Sequence, residues 1–202
     1  MKPLPRLYAI ADASFGNPRD LAAQLFEGGA RLVQVRDKSA TAGTLLSEVE
    51  TILKISPDDA TVIVNDRADV ARIAVAAGVH LGQTDLSPDL ARRVVTPDQI
   101  IGRSTHTLEQ ALEADRADVD YIAAGPVFPT ATKKNPEATI GLDGLREICS
   151  RVHKPVVAIG GITMETVRDV LACGPASVAV ISDLLNCEDV VSRTREWLEW
   201  LE

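Results

Sequence analysis

Eight short, mostly β-branched runs alternate with longer helical patterns from one end of this chain to the other. The runs are RLYAIA (6–11), RLVQVR (31–36), TVIVN (61–65), GVHLG (78–82), QIIGRS (99–104), VDYIAAG (119–125), PVVAIGG (155–161) and SVAVIS (177–182). Helical patterns follow near 19–27, 42–54, 67–77, 88–95, 108–116, 142–152, 165–172 and 187–201. Strict alternation makes the strands parallel, because each right-handed crossover lays its helix back onto the sheet. Eight such units in 202 residues predict a closed (β/α)8 TIM barrel, a single domain over 1–202. The rival, an open doubly wound sheet, usually carries a glycine-rich fingerprint after its first strand, and IADASFG offers none.

Local signals agree with this frame. Asn17-Pro18 and Ser87-Pro88 read as N-caps followed by proline at the first helical position. Thr107 and Gln110 fit a capping box. Gly28-Gly29, Gly78 and Gly174 stand where helices should stop. Hydrophobic residues reach 46% but aromatics only 3%. The core must therefore come from Ala, Val, Ile and Leu, as suits a parallel sheet covered by helices. A net charge of −8 argues against a general nucleic-acid or anionic-membrane binder. No apolar segment is long enough to span a bilayer and no signal-peptide pattern opens the chain. Cys149, Cys173 and Cys187 form no CxxC, so the expectation is a reduced, cytoplasmic protein without cysteine chemistry.

Catalytic groups of such a barrel come from the C-terminal strand ends, and polar residues gather at seven successive exits here. After the second strand, Gln34, Arg36 and Lys38 have period-two spacing and share one side if the strand persists. Two cations and an amide suit a phosphate or diphosphate; a solvated strand end is the alternative. After the third, Asn65 and Asp66 suit a metal or a phosphate, or else cap the next helix. After the fourth, Gln83 and Asp85 follow a glycine. Asp66 and Asp85 could converge on Mg²⁺, which takes one or two carboxylates plus phosphate oxygens and water; Asp85 could equally cap its own loop. After the fifth stand Ser104, Thr105 and His106, while His80 and His153 read as structural.

The sixth strand leads into GPVFPTATKKNPEATIG, much longer than the two to six residues usual for such a connection. Thr130, Thr132, Lys133 and Lys134 make it a candidate binding loop or lid, and 135–138 reads as solvated hinge. Gly160 and Gly161 after the seventh strand, with Ile181 and Ser182 after the eighth, suit the phosphate site that barrels often build there. Together these exits describe two anion sites on one mouth.

In order, LYAIAD, VQVRDK, VNDRADVA, VHLGQTD, IGRSTHTLEQA, DYIAAGPVFPTATK, GLDGL, VAIGGIT and VAVIS resemble the thiamine-phosphate synthase (thiamine-phosphate pyrophosphorylase) family across nearly the whole chain. That resemblance implies condensation of a hydroxymethylpyrimidine diphosphate with a thiazole phosphate, or its carboxylated tautomer, to thiamine phosphate and pyrophosphate. It implies that Arg36, Lys38, Asn65 and Lys133 bind the diphosphate and that Asp66 and Asp85 hold Mg²⁺. Gln34 and Ser104 would face the pyrimidine. Thr130, Thr132, Gly161, Ile181 and Ser182 would receive the thiazole phosphate. Arg36, Lys38, Ser104 and Lys133 would carry the catalysis. The chain departs from the family pattern at IADA, where TDR is frequent, and at Ala131, where proline is frequent. A related thiazole tautomerase, with a histidine at the His106 position, and a non-catalytic thiamine-phosphate sensor are the competing readings. Asp85 and the TATK run favour the synthase. Trp197 and Trp200 could pack on the barrel or meet a second subunit of a homo-oligomer.

Overall fold

The computed structural model describes residues 3–130, 132 and 137–201. Its strands are β1 (Leu7–Asp12), β2 (Leu32–Arg36), β3 (Thr61–Asn65), β4 (Gly78–Leu81), β5 (Ile100–Thr105), β6 (Tyr121–Ala124), β7 (Val156–Ile159) and β8 (Ser177–Val180). They pair in sequence order, all parallel, and β8 closes onto β1, with Leu7 opposite Val178 and Ala9 opposite Val180. The expected (β/α)8 barrel is what the chain forms. Helices α1 (Pro18–Glu27), α2 (Ala42–Ile55), α3 (Ala68–Ile73), α4 (Pro88–Arg92), α5 (Leu108–Arg116), α6 (Gly141–Arg151), α7 (Val167–Leu171), α8 (Ser182–Leu185) and α9 (Val190–Leu201) intervene or follow.

Strand parity sorts the side chains into two cores. Leu7, Ala9, Ala11, Val33, Val35, Val62 and Val64 join the helices in the outer apolar layer. Tyr8, Ile10, Leu32, Ile63, Tyr121, Ala123, Val157 and Ala179 fill the barrel itself. Successive side chains of a strand point to opposite faces. The inward stripe therefore ends, toward the strand exits, in residues of the same parity: Asp12, Gln34 and Arg36, Asn65, His80 and Ser104. Register aligns these ends, with Asp12 beside Arg36 and Asn65 beside His80.

Caps fix the helix starts. Asn17 accepts from the N–H groups of Arg19 and Asp20, and Ser87 Oγ from Leu90 N–H. Each such cap is typically worth about 1 kcal/mol. The capping box at Thr107 is only half formed. Thr107 Oγ1 accepts from Gln110 N–H at 3.3 Å, but the Gln110 side chain accepts from His106 N–H at 2.7 Å instead of returning to Thr107.

Two expected helices differ from their patterns. The 67–77 pattern yields a helix that ends at Ile73, because Val75 takes a left-handed conformation (φ 56°) and reverses the chain. Gly78 does not stop that helix; it opens β4. Ahead of the last pattern, 187–201, lies an unexpected short helix, α8 (Ser182–Leu185), and the pattern itself forms α9 from Val190. Asp189 accepts from Ser192 N–H at 2.9 Å and so caps the second. Trp197 is fully buried and donates its indole N–H to Asp183 Oδ2 at 2.7 Å, whereas Trp200 stays part exposed beneath the Arg168 guanidinium. Among the described residues, no helix is long and apolar enough to cross a membrane.

Candidate active site

A cavity of about 1120 Å³, its open mouth included, lies at the C-terminal ends of the strands. Gln34, Arg36, Lys38, Asn65, Asp66 and Ser104 line it on one side. Thr130, Thr132, Gly161, Ile181 and Ser182 line it on the other. One barrel mouth thus collects eleven residues that the sequence singled out.

On the β2 side, Arg36 forms an ion pair with Asp12, which is 2% exposed. The other Asp12 oxygen accepts from Ser14 N–H at 2.9 Å and Ser14 Oγ at 2.7 Å, so the carboxylate that steers Arg36 is itself held. Lys38 Nζ lies 3.0 Å from Asp66 Oδ2. Asp66 does not cap α3, whose start has no side-chain cap. It sits instead in the left-handed region (φ 62°), its N–H donating to His80 O at 2.8 Å. Aspartate tolerates that conformation better than most residues, and it turns the carboxylate toward Lys38.

Asp85 is not in the cavity wall; it stands behind Asp66. Its Oδ2 accepts from Gly82 N–H at 2.7 Å, so the loop-capping role is real. Arg103 holds the same loop by donating to Gly82 O at 2.7 Å and Leu86 O at 3.2 Å. Burial first, and then the hydrogen-bonded neighbour Asp66, push the Asp85 carboxyl above its ordinary range, against the opposing pull of Lys38. Among the described residues no group of three or more His, Cys, Asp and Glu is arranged to hold a metal. The two carboxyls in contact with one another here are Asp66 and Asp85.

At the β5 exit, Ser104 Oγ lies 2.8 Å from His80 Nε2. Thr105 is fully buried and spends its hydroxyl on Ala123 O at 3.0 Å, a structural use. His106 lines the cavity, with Nδ1 2.6 Å from Gly125 O. A carbonyl can only accept, so Nδ1 carries a proton. His153 is structural as expected, since its N–H and Nδ1 both go to Asp115.

The long connection after β6 is sewn to the barrel at both ends. Val127 N–H donates to Ile159 O and Phe128 N–H to Gly160 O, each at 2.9 Å. On the return, Ile140 N–H donates to Pro126 O at 2.9 Å and Gly141 N–H to Val127 O at 3.2 Å. Thr130 Oγ1 accepts from Thr132 N–H at 3.3 Å and donates to Thr132 Oγ1 at 3.2 Å, so the two hydroxyls face one another. Ala131, Lys133, Lys134, Asn135 and Pro136 lie outside the described residues, and with them the roles expected of Lys133 and Lys134. Glu137, read from sequence as hinge, lines the cavity.

Gly161 has a left-handed backbone (φ 64°), and a Cβ there would stand 2.5 Å from Pro129 O and 2.9 Å from Phe128 Cβ. Its place in the sequence therefore reflects room for the β6 loop as much as an exposed N–H. Ser182 opens α8 without a side-chain cap.

Sequence reasoning missed four polar residues here. Tyr8 and Tyr121 were hidden in apolar runs, although their hydroxyls meet at 2.8 Å inside the barrel. His80 was read as structural but lines the cavity. Asp12 ended a strand without any motif to mark it. Parity was the available signal: each of the four shares the inward stripe of its strand.

A family model described as thiamine monophosphate synthase matches residues 7–184. The chain is 47% identical over 205 residues to a thiamine-phosphate synthase of Koribacter versatilis, covering 98% of this chain and 96% of that one. A thiamine-phosphate synthase of Clostridium novyi is 40% identical, covering 92% and 93%. A solved thiamine phosphate pyrophosphorylase from Pyrococcus furiosus superposes with a TM-score of 0.89 at 39% identity, covering 97% of this chain and 95% of that one. With full-length identity of this order and a matching barrel, the chain belongs to the thiamine monophosphate synthase family.

Proposed function

We propose that this chain joins a hydroxymethylpyrimidine diphosphate to a thiazole phosphate, or to its carboxylated tautomer, making thiamine phosphate and releasing pyrophosphate. The observation that carries this reading is the two-sided cavity. One side presents Arg36, Lys38, Asn65 and Asp66, the last in contact with Asp85; the other presents hydroxyls and the Gly161 and β8 backbone. That is the inventory for two phosphorylated ligands held side by side.

In the reaction, the bond between the pyrimidine methylene carbon and the diphosphate oxygen breaks, and its electron pair leaves on pyrophosphate. The thiazole nitrogen lone pair then forms the new carbon–nitrogen bond. An electron-rich aminopyrimidine can carry the transient positive charge, so the displacement is dissociative. Arg36, Lys38 and Asn65, with Lys133 assigned to the same group, meet the charge that grows on the leaving pyrophosphate, usually the largest catalytic contribution. Thr130, Thr132, Gly161, Ile181 and Ser182 hold the thiazole phosphate, so that its nitrogen stands ready when the cation forms. Gln34 and Ser104 orient the pyrimidine. The barrel mouth limits water, which would otherwise trap the cation.

Asp66 and Asp85 fit Mg²⁺. They are hard oxygen donors on neighbouring loops, in hydrogen-bond contact with one another, and burial first and then Asp66 raise the Asp85 carboxyl, a cost that a cation would relieve. Bound there, Mg²⁺ would supply charge stabilisation to the leaving phosphate oxygens. With only two carboxylates, the site would leave the remaining positions of the ion to substrate and water. The named relatives do not favour the tautomerase or sensor readings. The same reading makes phosphorylated small molecules the partners and the cytoplasm the setting, with the part-exposed Trp200 a candidate contact in a homo-oligomer.

The test is to incubate the pure protein with both substrates, with and without Mg²⁺, and to assay pyrophosphate and thiamine phosphate. Both products should appear in equal amounts and depend on Mg²⁺. Folded protein that forms neither product under either condition refutes the assignment.

A further inference from the structure

An unbroken chain of hydrogen bonds crosses the cavity floor. Gln34 Nε2 donates to Tyr8 Oη at 2.9 Å. Tyr8 Oη meets Tyr121 Oη at 2.8 Å. His80 Nδ1 lies 2.9 Å from Tyr121 Oη, and His80 Nε2 lies 2.8 Å from Ser104 Oγ. The sequence makes space for this path: a Cβ on Gly102 would fall 2.0 Å from Tyr121 Cζ and 2.3 Å from its hydroxyl. The Tyr121 ring also stacks on His80, with centroids 5.6 Å apart.

Proton counting gives the chain a direction. Tyr8 accepts from Gln34, so its own proton goes to Tyr121. The Tyr121 proton then goes to His80 Nδ1, which must be unprotonated to receive it. The neutral ring carries its proton on Nε2 and donates it to Ser104 Oγ. Burial raises the pKa of both phenols, so each keeps the proton this path requires. What is left over faces the ligand: a free acceptor at Gln34 Oε1 and a free donor at Ser104 O–H. Both residues line the cavity.

We infer that Tyr8, Tyr121 and His80 are positioning residues that fix opposite hydrogen-bond polarity at Gln34 and Ser104. They thereby select a heterocycle with a donor toward Gln34 and an acceptor toward Ser104. An aminopyrimidine has this pattern, in its exocyclic N–H and ring nitrogen. An analogue with a methoxy group in place of the amino group has acceptors at both points. It cannot be matched in either direction: reversing every link would serve its oxygen but turn Ser104 into an acceptor facing the ring nitrogen. This inference rests on the pyrimidine reading of the site given above, and it adds how the ring is chosen.

Tyr121→Phe keeps the ring and cuts the chain in the middle. The measurements are kcat/KM for the aminopyrimidine diphosphate and for its methoxy analogue, with the thiazole phosphate KM alongside. The wild type should prefer the amino compound by about 100-fold or more, as expected when a mismatch strands buried polar groups. Tyr121→Phe should reduce that preference at least tenfold and leave the thiazole phosphate KM unchanged. An unchanged preference overturns the inference, as does a wild type that does not discriminate. Should Tyr121→Phe not fold, Tyr8→Phe is scored by the same ratio. Calorimetric binding of the unphosphorylated aminopyrimidine and methoxypyrimidine alcohols separates the two questions. Selective binding without turnover keeps the relay and removes the proposed reaction; unselective binding removes the relay whatever the turnover.

Discussion

The two halves of the barrel mouth are made of different materials. The β2–β4 half works through side-chain charge: Arg36 tied to Asp12, Lys38 to Asp66, and Asp85 behind Asp66. The β6–β8 half works through backbone and hydroxyls: Gly161 under Pro129 O, the facing Thr130 and Thr132, and Ser182 at the start of α8. Charge can be altered one side chain at a time without disturbing the chain that carries it. A backbone site is vulnerable where a Cβ would intrude. The halves should therefore fail under different mutations and different solution conditions.

The largest expected effect lies on the charged half. Asp85→Ala should lower kcat by roughly 10²- to 10³-fold, the scale of losing one charge-stabilising element, and melting temperature by only about 2–4 °C, from the lost Gly82 N–H contact. Asp66→Asn is the better partner variant, because Asn keeps the left-handed conformation that Ala would strain. Near-normal turnover of either variant at low Mg²⁺ contradicts the metal assignment.

Next is Gly161→Ala on the backbone half. The added Cβ collides with Pro129 O and occupies a left-handed position. A cost of about 1–3 kcal/mol should appear in urea unfolding. The thiazole phosphate KM should rise while the KM for the diphosphate holds. Equal increases in both constants would show that the halves are not independent.

Ser182→Ala should be milder. Loss of one hydrogen bond to a charged group is worth about 1.5 kcal/mol, or about tenfold in the thiazole phosphate KM, readable by steady-state titration of that substrate. A change in the diphosphate KM instead would place Ser182 on the wrong half.

Acidity should separate the halves more gently. Asp85 must be ionised to serve a cation, and burial and Asp66 hold its carboxyl above the usual range. The Mg²⁺ concentration needed for half-maximal turnover should thus rise as pH drops through that raised value, and Ser182→Ala should leave this rise in place. A profile flat down to pH ~4, the ordinary carboxylate range, counts against the role of Asp85. The smallest effect is ionic strength. Added salt should weaken the diphosphate KM a few-fold more than the thiazole phosphate KM, because screening acts on side-chain charge at the open mouth.

What the sequence made legible follows the same division. The strands were readable because β-branched runs have no other comfortable place in a chain of this pattern. Arg36, Lys38, Asp66 and Asp85 were readable because charges at strand ends need a reason. The short helix α8 was not, since four residues, Ser182–Leu185, carry no periodicity. Nor was the early end of α3, because valine at a left-handed turn contradicts the usual preference for glycine. The tyrosine pair stayed hidden because its members are 113 residues apart and each looks, locally, like strand filling. Gly102 and Gly161 were visible as glycines, but the atoms they avoid belong to other strands and loops.

The stitching of the long β6–α6 connection has a consequence beyond this active site. The chain leaves the barrel at Val127 and returns at Gly141, and those two residues are hydrogen-bonded to one another. The barrel frame is thus closed beneath the excursion, which rests on it through Phe128 and Pro129 against Gly161. Doubling the length of such an excursion costs only about 0.6 kcal/mol in closure entropy. The connection works as a socket: a different insert, with different hydroxyls or charges, could be seated on the same eight strands without re-registering any of them. A change of acceptor substrate could then be a matter of replacing one plug.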